Sequence, residues 1–130
     1  DSLFEIIDTY KESKSILGVC LGMQAIAEYY GAELFNLEKV YHGVKTHTKI
    51  LERDDKIFIG LPERIETGLY HSWAVFPDVL PSELKITALS QRGIIMGISH
   101  IEHDVKGIQF HPESVMTKLG RVIIENWLSY

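Results

Sequence analysis

The residue best placed for chemistry in this 130-residue chain is its one cysteine, Cys20. The apolar run at 15–19 is typical of a short buried strand, and residues 23–30 carry the apolar spacing of a helix that ends at Gly31. Cys20 is therefore predicted on a sharp strand-to-helix turn, the position of a nucleophile elbow. Because a helix N-terminus favours the thiolate, we expect its pKa to lie below the value of about 8.5 of a free thiol.

Two glycines flank this turn, Gly18 and Gly22. We interpret both as positions where a Cβ atom would crowd the backbone. Taken alone, the segment is equally compatible with a small, inert thiol buried among apolar residues.

A second candidate group, His111, follows another apolar strand-like segment at 105–110. Pro112 enforces an extended path, so that Glu113 can reach back to the imidazole. A thiol, an imidazole and an orienting carboxylate are the nucleophile, base and orienter of a catalytic triad. Cys20, His111 and Glu113 are therefore the predicted catalytic residues.

These two segments resemble the class I, or triad, glutamine amidotransferases, which have a Gly-x-Cys-x-Gly elbow and a downstream His-Pro-Glu. The sequences at 20–24, 42–43, 70–72 and 111–114 are similar to the glutaminase subunit (component II) of anthranilate synthase and aminodeoxychorismate synthase. The resemblance extends from about Leu3 to the C-terminus. It implies a flavodoxin-like α/β fold with an open mixed sheet flanked by helices, formed by one amidotransferase domain over residues 1–130.

The resemblance also implies a reaction, the hydrolysis of L-glutamine to glutamate and ammonia through a cysteine thioester. The backbone N–H of Leu21 is the expected oxyanion donor, and Gln24, Ser72 and Trp73 are expected to bind glutamine. Trp73 replaces the smaller apolar residue usual in the family, which predicts a narrow glutamine pocket. No cofactor is expected, and the expected partner is a chorismate-binding synthase subunit of tryptophan or folate biosynthesis.

Ammonia loses its nucleophilicity when protonated, so it is expected to pass directly into the partner. The active-site face, including His42, Gly43 and residues 70–73, is therefore the predicted docking face.

Composition agrees with an ordinary globular enzyme domain. The chain is 45% hydrophobic and 24% charged, and its net charge of −5 includes no basic block that would suit nucleic acid. A single cysteine excludes an internal disulfide and suits the reducing cytosol, and no apolar run approaches the length of a membrane span. A cytoplasmic protein is predicted. Histidines at 42, 47, 100 and 103 lack the spacing of a metal site, so no metal is expected.

In chain order, the pattern predicts a surface helix at 2–13 and strands at 32–35, 44–51, 64–71, 84–90, 94–100 and 105–110. The first helix is expected to pack inward through Leu3, Ile6, Ile7 and Tyr10. The last three strands are expected to pair as hairpins. A final helix is expected to present one apolar face to the sheet, weakened internally by Gly120.

By the resemblance, the opening strands and a loop with a second oxyanion donor are absent, so that the domain is predicted to lack its N-terminal third. An exposed sheet edge is expected to promote self-association. Two alternatives to the chorismate-linked glutaminase stay open, namely an amidotransferase domain that serves another acceptor and a catalytically weak interaction module.

Overall fold

The computed structural model describes residues 2–37, 43–70 and 73–129, in which a helix–strand–helix unit is followed by seven strands and a final helix. The helices are α1 (Ser2–Tyr10), α2 (Leu21–Tyr29) and α3 (Gly120–Ser129). The strands are β1 (Ile16–Val19), β2 (Leu34–Asn36), β3 (Val44–Ile50), β4 (Arg64–Leu69), β5 (Trp73–Val75), β6 (Leu84–Ser90), β7 (Ile95–His100) and β8 (Val105–Ile108). Short 3-10 turns lie at Lys56–Phe58 and Pro77–Val79.

The described strands form a mixed six-stranded sheet with the order β1-β8-β7-β6-β3-β4, and β2 and β5 form a separate antiparallel pair. Within the larger sheet, β1 and β8 run parallel, and each of the other neighbouring pairs is antiparallel. The two hairpins predicted from β6 to β8 are confirmed. So is the expected class of fold, an α/β architecture with a mixed sheet and flanking helices.

The parallel pairing of β1 and β8 positions the chemistry. Gly18 lies opposite Gly107 and Val19 lies opposite Ile108 in this register. Both strands therefore end at the same edge of the sheet, where Cys20 and the segment that leads to His111 follow them. Residues that are remote in sequence are thereby placed side by side.

The sheet buries apolar side chains on both faces. One cluster underlies α1 and α2 and includes Ile7, Met23, Ile26, Ile95 and Val105. The other lies under α3 and the turn at Lys56–Phe58, and includes Phe58, Met96, Ile108, Phe110 and Ile123. Each described helix is too short or too polar to cross a lipid bilayer.

Helix α1 packs against the rest of the protein through a narrower face than the spacing of its apolar residues predicted. Ile7 is buried and Phe4 meets Tyr29 of α2 edge-on at 5.9 Å, whereas Leu3, Ile6 and Tyr10 are exposed. The expectation that these last three side chains face inward was wrong, because α1 contacts the rest of the molecule mainly along one narrow stripe against α2.

Helix α2 ends as its sequence predicted. Gly31 adopts a φ of 98°, and the N–H of Ala32 bonds the carbonyl of Ala27 at 2.9 Å. This is the arrangement of a Schellman motif, in which glycine avoids the cost of a left-handed backbone.

The two glycines of the elbow have different roles. A Cβ on Gly18 would lie 2.5 Å from the backbone carbon of Gly22, so the close approach of β1 and α2 requires glycine at 18. A Cβ on Gly22 would meet no described atom within 4 Å, so the interpretation that Gly22 relieves crowding was wrong.

This difference predicts opposite effects for two substitutions on the same turn. Gly18→Ala forces β1 and α2 apart and is expected to lower the free energy of unfolding by about 1–3 kcal/mol, the typical cost of overpacking. Gly22→Ala is the matched control, and should be neutral or stabilising by up to about 1 kcal/mol because alanine is the better helix former. Urea unfolding followed by circular dichroism measures both. Equal destabilisation by the two substitutions would contradict the difference in packing.

Candidate active site

Cys20 occupies a strained turn between β1 and α2. Its φ of 56° and ψ of −104° make it the non-glycine residue with positive φ in the described part of the chain. Its N–H bonds the carbonyl of Ile108 in β8 at 2.8 Å, and its carbonyl accepts the N–H of Gln24 at 3.1 Å. The predicted strand-to-helix turn at Cys20 is confirmed, and its strained backbone is that of a nucleophile elbow.

His111 and Glu113 form the predicted pair. The Nδ1 atom of His111 lies 2.7 Å from Oε2 of Glu113. Because a carboxylate only accepts, Nδ1 carries the proton and Nε2 is left to act as a base. The Tyr70 ring packs edge-on against the imidazole at 5.4 Å, and its hydroxyl lies 3.1 Å from Oγ of Ser114. The ring orientation of His111 is therefore supported from two sides.

Gly120, the first residue of α3, lets that helix approach the loop formed by His111, Pro112 and Glu113. A Cβ at this position would lie 1.9 Å from the carbonyl oxygen of Pro112, closer than any real contact. Gly120 begins α3 and does not interrupt it, so the expected weakening inside the helix was wrong. The glycine instead permits the close approach that positions the loop between His111 and Glu113.

Two of the predicted catalytic groups, Cys20 and His111, share one cavity of about 350 Å³, and Glu113 lines an adjoining pocket behind His111. This volume lies near the lower limit of the range of about 300–1,000 Å³ that is typical of small-molecule sites. Between the described residues no hydrogen bond joins His111 to Cys20. The cavity is lined by Val19, Cys20, Leu21, Gln24, Tyr70, Trp73 and His111.

The side chain of Gln24 is buried and makes two hydrogen bonds inside the protein. Its Nε2 donates to the carbonyl of Trp73 at 2.9 Å and to Oε1 of Gln109 at 3.2 Å. Both of its N–H groups are thus occupied, and among the described residues its carbonyl oxygen has no hydrogen-bond partner, which suits it to a ligand. Gln24 and Trp73 do line the cavity, as predicted, while Ser72, His71 and His42 lie outside the described residues.

Gln109 was not assigned a role by the sequence, although it contacts the predicted nucleophile. It is fully buried, and its Nε2 donates to Sγ of Cys20 at 3.5 Å. The signal available was a polar side chain within an apolar strand segment, two residues before His111.

The pKa of the Cys20 thiol is raised, whereas the sequence predicted that it would be lowered. Burial raises the pKa of the Cys20 thiol above its ordinary value, and hydrogen bonds from the Leu21 N–H and the Gln109 amide lower it by less. The negative charge of Glu113 adds to the rise. The predicted depression of the pKa was wrong, because the helix N-terminus does favour the thiolate but desolvation outweighs it.

Two of the remaining histidines are accounted for by local structure. Nδ1 of His100 accepts the N–H groups of Glu102 and His103, and the rings of His100 and His103 stack at 4.6 Å. Within residues 2–37, 43–70 and 73–129, no cluster of three or more histidine, cysteine, aspartate or glutamate side chains is placed to hold a metal.

The direction of the thiol shift predicts a pH profile. The neutral thiol should predominate at neutral pH, and alkylation by iodoacetamide should keep rising as the pH passes about 8.5, the ordinary thiol pKa. The chain unfolded in urea is the control and should level off near that ordinary value. Since Cys20 is the one cysteine, mass spectrometry reports this site alone. A native profile that levels off near pH 7 would contradict the raised pKa.

Comparison with known proteins agrees with this geometry. The glutamine amidotransferase class-I family matches residues 1–129. The chain is 42% identical to a Haemophilus influenzae protein assigned as anthranilate synthase component II, with 98% of this chain and 65% of that protein covered. It is 40% identical to Escherichia coli aminodeoxychorismate synthase component 2, with 95% of this chain and 65% of that protein covered.

A solved structure shares the fold. A Thermoplasma acidophilum protein assigned as a GMP synthase subunit superposes with a TM-score of 0.87 at 31% identity, covering 98% of this chain and 61% of its own. The chain thus spans somewhat less than two thirds of the length of these relatives. By its elbow, its sheet and the match along its length, the chain belongs to the class I glutamine amidotransferase family.

Proposed function

We propose that this chain provides the glutaminase chemistry of an amidotransferase that supplies ammonia to a chorismate-using synthase. One observation carries the proposal. Cys20 on its strained elbow and His111 line one cavity in a member of the amidotransferase family, and Glu113 lies against the other ring nitrogen of His111.

The reaction begins with attack of Cys20 Sγ on the side-chain amide carbon of glutamine. His111 Nε2 takes the thiol proton and returns it to the departing nitrogen, which leaves as ammonia, and a thioester remains. His111 then takes a proton from water, which attacks the thioester and releases glutamate while the thiol is restored. Proton removal during attack suits a thiol that is neutral at rest, because burial favours that form.

Four further residues are proposed to support this chemistry. The Leu21 N–H, at the first position of α2, donates a hydrogen bond to the Cys20 sulfur. It is the proposed donor to the oxyanion. The side-chain carbonyl of Gln24 accepts no hydrogen bond from the described residues and is suited to accept one from the α-ammonium of glutamine. Trp73 and Ser72 are proposed to complete the binding of the amino-acid end.

The acceptor is proposed from the relatives. Component II of anthranilate or aminodeoxychorismate synthase matches at about 40% identity, whereas the GMP synthase subunit matches at 31%. The higher similarity favours a chorismate-binding partner over a nucleotide-aminating one. The third possibility is a binding module with weak hydrolysis of its own.

Glutamine hydrolysis, measured with and without each kind of partner subunit, tests the proposal. Cys20→Ser is expected to abolish glutamate release, and Glu113→Gln should lower the rate by about 10²-fold because the imidazole loses its orienting carboxylate. Glu125→Gln is the matched control, because it makes the same change at an exposed carboxylate on α3. In the described structure the ion pair of Glu125 is with Arg121, one helical turn away.

The partner gives the distinguishing outcome. Stimulation by a chorismate-binding subunit, with an aminated product, would support the proposal. Stimulation solely by a nucleotide-aminating partner would overturn the choice of acceptor. Partner binding with no hydrolysis by either complex would identify a binding module instead.

We propose that the partner docks over the mouth of the cavity. The exposed apolar side chains of Leu21, Tyr70 and Trp73 line the cavity. Val115, which is 92% exposed, lines the adjoining pocket that shares Tyr70 with it. Apolar groups gathered around a site are typical of an interaction surface. Of the face predicted from sequence, Gly43, Tyr70 and Trp73 lie in the described residues.

Val115→Lys is expected to weaken partner binding by about tenfold or more, since a charge would have to be desolvated at the interface. Leu128→Lys is the matched control, because Leu128 is 71% exposed and lies at the far end of α3. Sedimentation of the mixed proteins measures both. Equal affinities of the two variants would contradict docking over the cavity.

Self-association is a separate proposal. In the described sheet, β1 is hydrogen-bonded on one side only, by β8, and Ile16, Leu17 and Val19 are half-buried. An apolar strand edge is a template for pairing with a second copy. Sedimentation of the isolated protein at increasing concentration would reveal such pairing, and a constant monomer mass would exclude it.

A further inference from the structure

Gln109 is a fully buried polar residue to which the proposed reaction gives no role. A buried amide is stable only when its donors and acceptors are satisfied. Gln109 donates from Nε2 to Sγ of Cys20 at 3.5 Å and accepts at Oε1 from Nε2 of Gln24 at 3.2 Å. It therefore links the predicted nucleophile to a residue of the predicted glutamine site.

The orientation of both amides follows from one backbone carbonyl. The carbonyl of Trp73 can only accept, so the atom of Gln24 that lies 2.9 Å from it must be the NH₂ group. The second N–H of that group then requires an acceptor, which is Oε1 of Gln109. The NH₂ group of Gln109 is consequently turned toward the sulfur.

We propose that Gln109 is a further functional residue of this site, which donates a hydrogen bond to the Cys20 sulfur and is held in the donating orientation through Gln24 by the Trp73 carbonyl. The proposal rests on the proposed function for its catalytic meaning, because it concerns the sulfur that would attack glutamine. The two amides form a hydrogen-bonded chain from the Trp73 carbonyl in β5 to the Cys20 sulfur, and this chain is called the relay below.

The physical effect is electrostatic. As the thiol loses its proton, the sulfur becomes a charged acceptor, and hydrogen bonds to charged groups are stronger than those to neutral ones. The Gln109 N–H and the Leu21 N–H both oppose the burial that disfavours the thiolate. The other titratable groups around the cavity are His111 and Glu113 after β8 and Tyr70 after β4.

The test is the pH dependence of Cys20 alkylation by iodoacetamide, which requires neither turnover nor a partner. Gln109→Met keeps a similar volume without an N–H donor. It is expected to raise the apparent pKa of Cys20 by about one and to slow alkylation about tenfold at pH values below that pKa. Gln109→Leu also removes the N–H donor but has a differently shaped side chain, and it is expected to raise the pKa of Cys20 as well.

Thr48→Val is the matched control. Thr48 is a fully buried polar residue of the same sheet, and its hydroxyl pairs with that of Thr67 at 2.9 Å, away from the cavity. This substitution removes a buried polar group at comparable depth, so it should reduce stability and leave the alkylation profile of Cys20 unchanged.

The relay is tested separately by Gln24→Met. With Gln109 present, this change frees the Gln109 amide to turn and should slow alkylation. With Gln109→Met already in place, it should have no further effect, because no amide is left to orient. Additive effects in the double variant would overturn the relay.

Unchanged alkylation profiles in folded Gln109→Met or Gln109→Leu protein, with folding checked by circular dichroism, would overturn the proposal. If neither folds, Gln24→Met decides: a slower profile supports the oriented donor, and an unchanged one contradicts it. An altered profile in a protein that does not hydrolyse glutamine would refute the proposed function and leave the role of Gln109 standing.

Discussion

The site depends on the parallel pairing of β1 with β8. This contact places the ends of two strands side by side, so that Cys20 follows one and Gln109 the other. Two glycines opposite each other in the register, Gly18 and Gly107, let α2 lie directly on both strands. A Cβ on Gly107 would come within 2.6 Å of Met23 in that helix. The elbow is therefore a product of close strand–helix packing as much as of its own turn residues.

A second constraint is the balance between burial and hydrogen bonding at the sulfur. Burial holds Cys20 in the neutral form, while the Leu21 N–H and the Gln109 amide favour the thiolate. His111, held by Glu113 at its other nitrogen, is the group suited to take the proton when a substrate arrives. A nucleophile that is neutral at rest and deprotonated during attack is less exposed to unproductive reactions of a free thiolate.

The parts of this site that the sequence predicted are those encoded locally. The Cys20 elbow depends on a short strand, a turn and a helix that are contiguous, and the His111–Glu113 pair spans three residues. Gly31 likewise marks the end of α2 by its own backbone preference. Such features need no knowledge of distant neighbours, because turn and helix signals act over a few residues.

The parts that could not be predicted arise from packing between distant segments. The partners of Gln109 lie in α2 and at the elbow, and nothing in residues 105–110 indicates which of them it meets. The pKa of Cys20 was misjudged because the helix N-terminus is visible in the sequence, whereas the depth of burial is not. Gly22 and Gly120 were misinterpreted for the same reason, since the space around a glycine is set by the fold.

Cys20 is proposed to be the nucleophile of a glutamine site. A glutamine analogue with an electrophilic ketone in place of the side-chain amide would test it directly, with mass spectrometry used to locate the adduct. We predict one adduct per chain, on Cys20, formed more slowly in the presence of glutamine and much more slowly in His111→Ala. A lack of reaction, or an adduct that forms on Cys20 equally fast with glutamine present, would contradict this role of Cys20.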